Sequence, residues 1–509
     1  MNETMTIGGE LSLAGIERVA RDRSVRLTLD DDARSRVRAA RAVVERAVRE
    51  ERVVYGVTTG FGALSEVVIP THRIRELQLN LIRSHAAGIG EPLSEVETRA
   101  IMLMRASTLA LGYSGVREAV IELLLECLNR GVHPVIPCRG SVGASGDLAP
   151  LSHLALVLLG EGVAVLDGES VDGGVALSRS GLEPLVLEAK EGLALNNGTQ
   201  VHCGVGILAL LRAERVLETL EVAGAMSLEG LRGTPDAFDA AIQRIRPQQG
   251  QVLSAARLRT LLAESEIRES HRYDDVRVQD AYSIRCMPQV HGAARQALAY
   301  VRQVLEVEAN SVTDNPLIFA DEDRIVSGGN FHGQPGAQAL DLLALACADL
   351  GAISERRIAR LVDPALSDLP AFLTPDPGVN SGLMMAQIVA ASLVSELRLR
   401  AMPASTDSVP TDANKEDHVS MGVAAALKAR EAVSLLESMA ALELLTAAQA
   451  LEFLKPLRPG WGVAVAYDMV RDHVAPLDRD RVLAPDIAAL EGLVRAGGFA
   501  TIHARFDDA

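Results

Sequence analysis

Residues 422–455 place the first constraint on the fold. The stretch is unusually long and is dominated by Ala and Leu. Such residues favour a helix, and it stops at Lys455-Pro456, where proline cannot continue one. A helix this long and this apolar has to bury itself against other helices. Residues 333–362 have the same character. Composition agrees, because 48% of the 509 residues are hydrophobic but only 3% are aromatic. The core must therefore be built from Leu, Ala, Val and Ile rather than from rings, which again favours helix. The expected fold is mainly α, an elongated bundle of long helices.

The formal net charge is −17. An acidic surface repels phosphate backbones, and no Lys/Arg cluster offsets it, so nucleic acid is not an expected partner. A small zwitterionic substrate stays open, since one well-placed Arg can serve it. The five cysteines are sparse and never spaced C-x-x-C, which argues against a disulfide framework or a zinc ribbon. No apolar run reaches the ~18 residues of a membrane span, and the N-terminal residues lack a signal-peptide pattern. The expected setting is cytoplasmic, with no membrane partner.

Along the chain, residues 32–51 read as an amphipathic helix, followed by a Gly/Thr-rich loop at 55–62. Residues 75–87 and 98–130 return to helical patterns. Pro134 and Pro137 lead into a second Gly-rich loop at 139–147, and residues 163–180 look like a small hairpin. Long helices dominate from about residue 200. The expected division is an N-terminal unit at 1–196, a central long-helix bundle at 197–455 and a C-terminal helical region at 456–509.

The most informative segment is the run of small residues from Gly140 to Pro150, with Ala144, Ser145 and Gly146 at its centre. A phosphate cradle would need a Lys after the glycines, and none follows Gly146. A hydrolase elbow would read G-x-S-x-G, but Asp147 stands where the last glycine belongs. A plain turn capping the next helix, with Asp147 as N-cap, is the simplest reading of an Ala-Ser-Gly triplet. The whole segment, however, resembles the self-processing loop of the aromatic amino-acid ammonia-lyase and aminomutase family. That resemblance implies that Ala144, Ser145 and Gly146 cyclise to a 4-methylidene-imidazol-5-one. The residue types suit the chemistry. Gly146 presents an unobstructed backbone nitrogen to the Ala144 carbonyl, and Ser145 carries the β-leaving group that becomes the methylidene.

The resemblance extends over nearly the whole chain, from about residue 10 to about 490, and adds a constellation of site residues. The loop at 55–62, Tyr-Gly-Val-Thr-Thr-Gly-Phe-Gly, is similar to the family's lid and makes Tyr55 a catalytic acid/base. A phenol with an ordinary pKa of about 10 needs electrostatic help for that task. Leu77, Leu81 and His85 fall at i, i+4 and i+8, so His85 is predicted to point inward. By pattern alone an inward histidine is more often a satisfied core residue; by resemblance the pair Ser84-His85 faces the substrate ring. Asn197, in Asn-Gly-Thr, would hydrogen-bond near the prosthetic carbonyl or the substrate amine, with Asn196 replacing a usual apolar residue. Gln279, Tyr282 and Arg285 step by three and would share one side of a helical turn. The resemblance makes Arg285 the carboxylate clamp and Tyr282 a support for the electrophile or a proton relay; otherwise Arg285 reads as a surface charge. Phe331 matches a ring-packing position. Glu416 stands where the histidine-acting members carry Glu and where those acting on phenylalanine or tyrosine tend to carry Gln. A carboxylate suits an imidazole and is penalised beside an apolar ring. It could also be a helix-start carboxylate, and Lys415 beside it stands where Gln is usual.

These features imply non-oxidative loss of ammonia from L-histidine to give urocanate, with Arg285 on the carboxylate and His85 and Glu416 on the imidazole. No metal or diffusible cofactor is implied. The family pattern also implies a homotetramer whose active sites draw on more than one chain. A lyase or 2,3-aminomutase for tyrosine, phenylalanine or another amino acid would use the same groups. A homologue without lyase activity and a Ser145 hydrolase are the more distant alternatives.

Overall fold

The computed structural model describes residues 3–503 except 274 and 276. The last residues of the expected C-terminal region, 504–509, lie outside the described residues. The chain is mainly helical, with short strands. It forms two compact units, each assembled from separated segments: residues 1–208, 302–341 and 403–427 in the first, and 209–301, 342–402 and 428–509 in the second. The sequence reading cut the chain linearly, whereas four of these five boundaries fall inside long helices.

In the first unit, the helix Glu95–Ala110 is buried along every position from Glu97 onward. A capping box starts it: the Ser94 hydroxyl accepts from Glu97 N, and Glu97 accepts from Ser94 N. Two of its buried residues are arginines, and each donates to backbone carbonyls, Arg99 to Val19 and Leu128 and Arg105 to Asn197. Those bonds satisfy Arg99, whose burial would otherwise be costly, whereas Arg105 Nε and Nη2 have no hydrogen-bond partner among the described residues. The pattern over 98–130 resolves into two helices, Glu95–Ala110 and Glu118–Asn129, separated by a turn at 111–117. The amphipathic stretch at 32–51 is the helix Asp31–Arg49, capped by Asp30, whose carboxylate accepts from Ala33 N at 3.0 Å. Its inner face packs Val43 and Val44 with Val57, Ile74, Ala189 and Ile318. Val57 sits in the loop that carries Tyr55, and Ile74 begins the helix Ile74–His85 that carries His85, so one apolar cluster anchors both.

The hairpin expected at 163–180 is shorter. Strands Val163–Leu166 and Glu169–Asp172 pair antiparallel. Asp167-Gly168 joins them with both φ angles positive, as tight hairpins require. Beyond Asp172 the chain is helical over Gly173–Arg179, because the Asp172 side chain accepts from Gly174 N and starts a helix.

In the second unit all regular structure among the described residues is helical. The helix Gly422–Glu452 supplies Leu436, Met439, Leu442, Leu445 and Ala448, all buried. It ends before Lys455-Pro456, where the bonds shorten to the i−3 pattern at Phe453 and Leu454. Glu443 lies in its buried stretch and is satisfied by Arg357 Nη2 at 2.8 Å and by the hydroxyls of Ser227 and Ser354. The helix Gln334–Val362 is long and apolar enough to cross a membrane, but 67% of that window is buried within the protein.

Candidate active site

The first unit contains a cavity of about 1190 Å³. Its walls bring together Tyr55, His85, Ala144, Ser145, Asn197, Phe331 and Glu416, residues spread across most of that unit's sequence. Gly146 continues the loop directly behind Ser145.

The triplet is held by backbone on both sides. Gly146 has φ +71° and lies against Gly198; a Cβ here would come within 2.3 Å of the Gly198 carbonyl oxygen and 2.5 Å of its C and N atoms. Only glycine allows that approach. Asp147 N donates to Gly198 O at 2.7 Å, and the Asn197 amide donates to the Ser145 carbonyl at 2.6 Å. Arg105, completely buried, donates in turn to the Asn197 carbonyl at 2.8 Å. Upstream, the Gly143 carbonyl accepts from Ser420 Oγ at 3.0 Å and from Gly333 N at 3.2 Å.

The Ser145 hydroxyl donates to Glu416 Oε1 at 2.5 Å, and the second oxygen of Glu416 accepts from Thr411 Oγ1 at 2.7 Å. Glu416 is thus a side chain turned onto the triplet rather than a helix-start carboxylate. Asp412, Ala413 and Asn414 before it all have positive φ, 47°, 51° and 67°. Three consecutive left-handed residues other than glycine are strained, and the bonds at Thr411 and Asp412 hold them there. Asp412 also accepts from Ala63 N at 3.0 Å, tying this loop to the one carrying Tyr55. Lys415 lines the cavity, but among the described residues no ion pair joins it to Glu416.

Burial pushes the Tyr55 phenol above its ordinary value; Gly62 N, donating to its oxygen at 3.3 Å, opposes this, and the Asp412 and Glu416 carboxylates add to it. Burial lowers the His85 imidazole below 6.5, more than the nearby carboxylates raise it, so the ring is neutral at pH 7. Ser84 Oγ lies 3.0 Å from its Nδ1. The inward direction read from helical spacing holds, and the space His85 faces is this cavity.

Gln279, Tyr282 and Arg285 belong to the second unit and are not among the residues lining the cavity. There the Arg285 guanidinium lies 4.5 Å over the Tyr282 ring, and Tyr282 is 69% exposed. Asn196 is buried; its amide donates to Ser152 Oγ at 3.2 Å and its Oδ1 has no hydrogen-bond partner among the described residues.

Asp147 occupies the N-cap position of the helix Leu148–Leu158 but does not cap it with its side chain. The carboxylate turns instead to the start of the helix Gln200–Gly230, accepting from Val201 N, His202 N and His202 Nδ1. The helix-cap reading of Asp147 is thereby corrected: partners more than fifty residues away win over the local donors. Sequence reasoning also missed Thr411 and Asp412, which lie outside the motif around Glu416. The parallel rings of His332 and His418, with centroids 5.7 Å apart, line the cavity too. His332 follows Phe331 directly and His418 lies two residues after Glu416, and that proximity was the available signal.

Among the described residues the Ser145 hydroxyl is bonded to Glu416 and not to an imidazole, the partner a serine hydrolase would use. Residues 11–472 match the aromatic amino acid lyase family. The chain belongs to that family and is a carbon–nitrogen lyase. It is 54% identical over 490 residues to the histidine ammonia-lyase of Myxococcus xanthus (strain DK1622), covering 96% of each chain. Against the histidine ammonia-lyase of Symbiobacterium thermophilum it is 52% identical, covering 97% of each. The crystal structure of histidine ammonia-lyase from Trypanosoma cruzi superposes with a TM-score of 0.91 at 43% identity, covering 98% of this chain and 94% of that one. A tyrosine aminomutase from Streptomyces globisporus gives a TM-score of 0.92 at 39% identity, covering 99% and 98%.

Proposed function

We propose that this chain eliminates ammonia from L-histidine, giving urocanate, at the cavity around Ser145. Residues Ala144, Ser145 and Gly146 first become a methylidene-imidazolone. The observation that carries this reading is Ser145 itself: its hydroxyl rests on Glu416, its carbonyl on Asn197, and it shares one cavity wall with His85. The site fits the group. Gly146 is pressed against Gly198 where no side chain could stand, and Asn197 already grips the carbonyl that the ring would retain.

When present, the methylidene-imidazolone supplies an electrophilic carbon that turns the substrate amine into a leaving group. The chain's own residues bind and move protons. Once Ser145 loses its hydroxyl, Glu416 Oε1 is released to accept from the substrate imidazole, while Thr411 keeps the other oxygen in place. Neutral His85 offers a second ring partner without like-charge repulsion. Phe331 packs against the substrate. Tyr55 is the acid/base for the β-proton. Its raised pKa means that a further cation must join Lys415 at the cavity before it can act as a base. Arg285 of a second copy would provide that cation and would clamp the substrate carboxylate, with Gln279 and Tyr282 beside it. The assembly is a homotetramer with shared active sites. Two features support this: the exposure of Tyr282, and the apolar face of the helix Met384–Arg400, where Met385 and Leu399 are 55% and 61% exposed. The five unpaired cysteines suit a reducing cytoplasm.

Turnover of an amino-acid panel, followed by acrylate absorbance and by chromatography of β-amino acids, tests the assignment. Histidine should be the best substrate by a wide margin. A site built for an imidazole leaves polar groups unpaired around phenylalanine, a discrimination that can reach roughly 10⁴. Faster turnover of tyrosine or phenylalanine, or β-amino acid as the main product, would overturn it in favour of an aminomutase.

A further inference from the structure

His202 is completely buried in the first turn of the helix Gln200–Gly230. Three glycines from two separate segments surround its ring. A Cβ on Gly333, Gly336 or Gly422 would come within 2.7, 2.9 or 3.0 Å of a ring atom. The space is therefore made for this side chain. Nδ1 lies 2.9 Å from Asp147 Oδ2 and 3.1 Å from Oδ1, and Nε2 has no hydrogen-bond partner among the described residues.

Asp147 links two strands of chain. Its carboxylate also accepts from Val201 N at 3.0 Å, His202 N at 2.9 Å and Ser141 Oγ at 3.1 Å. Its own N–H donates to Gly198 O, and two residues earlier the Ser145 carbonyl accepts from Asn197. Residues 145–147 are thus fastened to 197–202 at several points. This fastening fixes the turn in which the Gly146 nitrogen must approach the Ala144 carbonyl carbon. A wholly buried carboxylate is tolerated only when well paired, and His202 is the one ionisable side chain bonded to it among the described residues.

We infer that His202 is a positioning residue for the cyclisation of Ala144, Ser145 and Gly146, acting through Asp147. This rests on the proposal that the triplet cyclises. In that reaction the Gly146 nitrogen bonds to the Ala144 carbonyl carbon. The carbonyl oxygen departs as water with the two amide hydrogens of Ser145 and Gly146. A second water takes the Ser145 hydroxyl and its Cα hydrogen. No oxidant is needed. His202 touches none of these atoms; it holds the carboxylate that holds the turn.

The test uses full-length wild type, His202→Leu and His202→Asn made by cell-free synthesis. The mass of the peptide spanning the triplet is followed with time, and thermal melts are recorded on each. Leucine roughly fills the space and removes the donor. Asparagine places its δ-nitrogen where Nδ1 stood and keeps the donor. The wild-type peptide should become two waters lighter. Loss of a charge-assisted hydrogen bond should slow His202→Leu roughly 10- to 100-fold, and His202→Asn should recover most of the rate. If His202→Leu does not fold, His202→Ser, too short to reach the carboxylate, takes its place. An unmodified wild-type peptide would overturn the functional proposal itself. A processed wild type with His202→Leu processed equally fast would overturn only the role of His202. So would rates that merely follow melting temperature across the variants, with no recovery in asparagine.

Discussion

Replacing Glu416 by Gln tests how substrate recognition is built. In the structure the carboxylate has one oxygen on Thr411 Oγ1 at 2.7 Å and the other on Ser145 Oγ at 2.5 Å. The backbone at 416 is also fixed, with Thr411 N donating to Glu416 O at 2.9 Å. Glutamine keeps the Thr411 bond through its own oxygen, so the loop should stay in place and the melting temperature should change little. What changes is the atom presented to the cavity: a charged acceptor becomes an amide donor. A hydrogen bond to a charged group is worth about 1.5–3 kcal/mol, so kcat/KM for histidine should fall roughly 10- to 100-fold. The assay is initial rate against histidine concentration, with the mass of the triplet peptide measured on the same preparation. A rise in KM alone would place Glu416 on the bound imidazole, and a fall in kcat would place it in the transition state. A fully processed variant whose kcat/KM stays within about threefold of wild type would refute the assignment, since a threefold change is well under 1 kcal/mol.

Gly146→Ala should give soluble protein with an unprocessed triplet, because the new Cβ meets Gly198 backbone at 2.3 Å and the left-handed angle adds about 1–2 kcal/mol; peptide mass reads the outcome. Arg285→Lys should lower kcat/KM, since a point charge does not replace a bidentate fork. Co-expressed with Ser145→Ala it should regain part of the activity if sites are shared between copies, and mixed oligomers as inactive as the parents would refute sharing. In the second unit, burial raises Glu229 from 4.5 to about 7, against hydrogen bonds from Ser265 and Gly460. Its folded pKa exceeds its unfolded one, so the carboxylate destabilises the protein above pH 7, and this penalty fades as pH falls toward 4.5. Glu229→Gln should therefore stabilise by up to about 3 kcal/mol at pH 8 and by little at pH 5; melts showing no pH dependence of that difference would contradict it.

The sequence by itself determined the helices and marked out the triplet. Residues 422–455 read as a long buried helix because apolar content and a terminating proline are local properties. Residues 32–51 read as amphipathic for the same reason, and His85 pointed inward on periodicity alone. Ala144, Ser145 and Gly146 stood out because their whole segment resembles a family loop, and their residue types suit the proposed cyclisation. Local rules failed where a distant partner competed. Asp147 looked like a helix cap, but the donors that claimed it were Val201 and His202. The hairpin stopped at Asp172, whose carboxylate started a helix. Glu416 could be matched to a motif, yet only the tertiary structure put it on the Ser145 hydroxyl, 271 residues away in the chain, and bent residues 412–414 into left-handed conformations to do so. The raised pKa of Tyr55 and the lowered pKa of His85 were likewise invisible, because burial and neighbouring carboxylates come from several segments. Periodicity and turn chemistry are written along the chain, whereas the distance between two side chains and the dielectric around them exist only once the chain has packed.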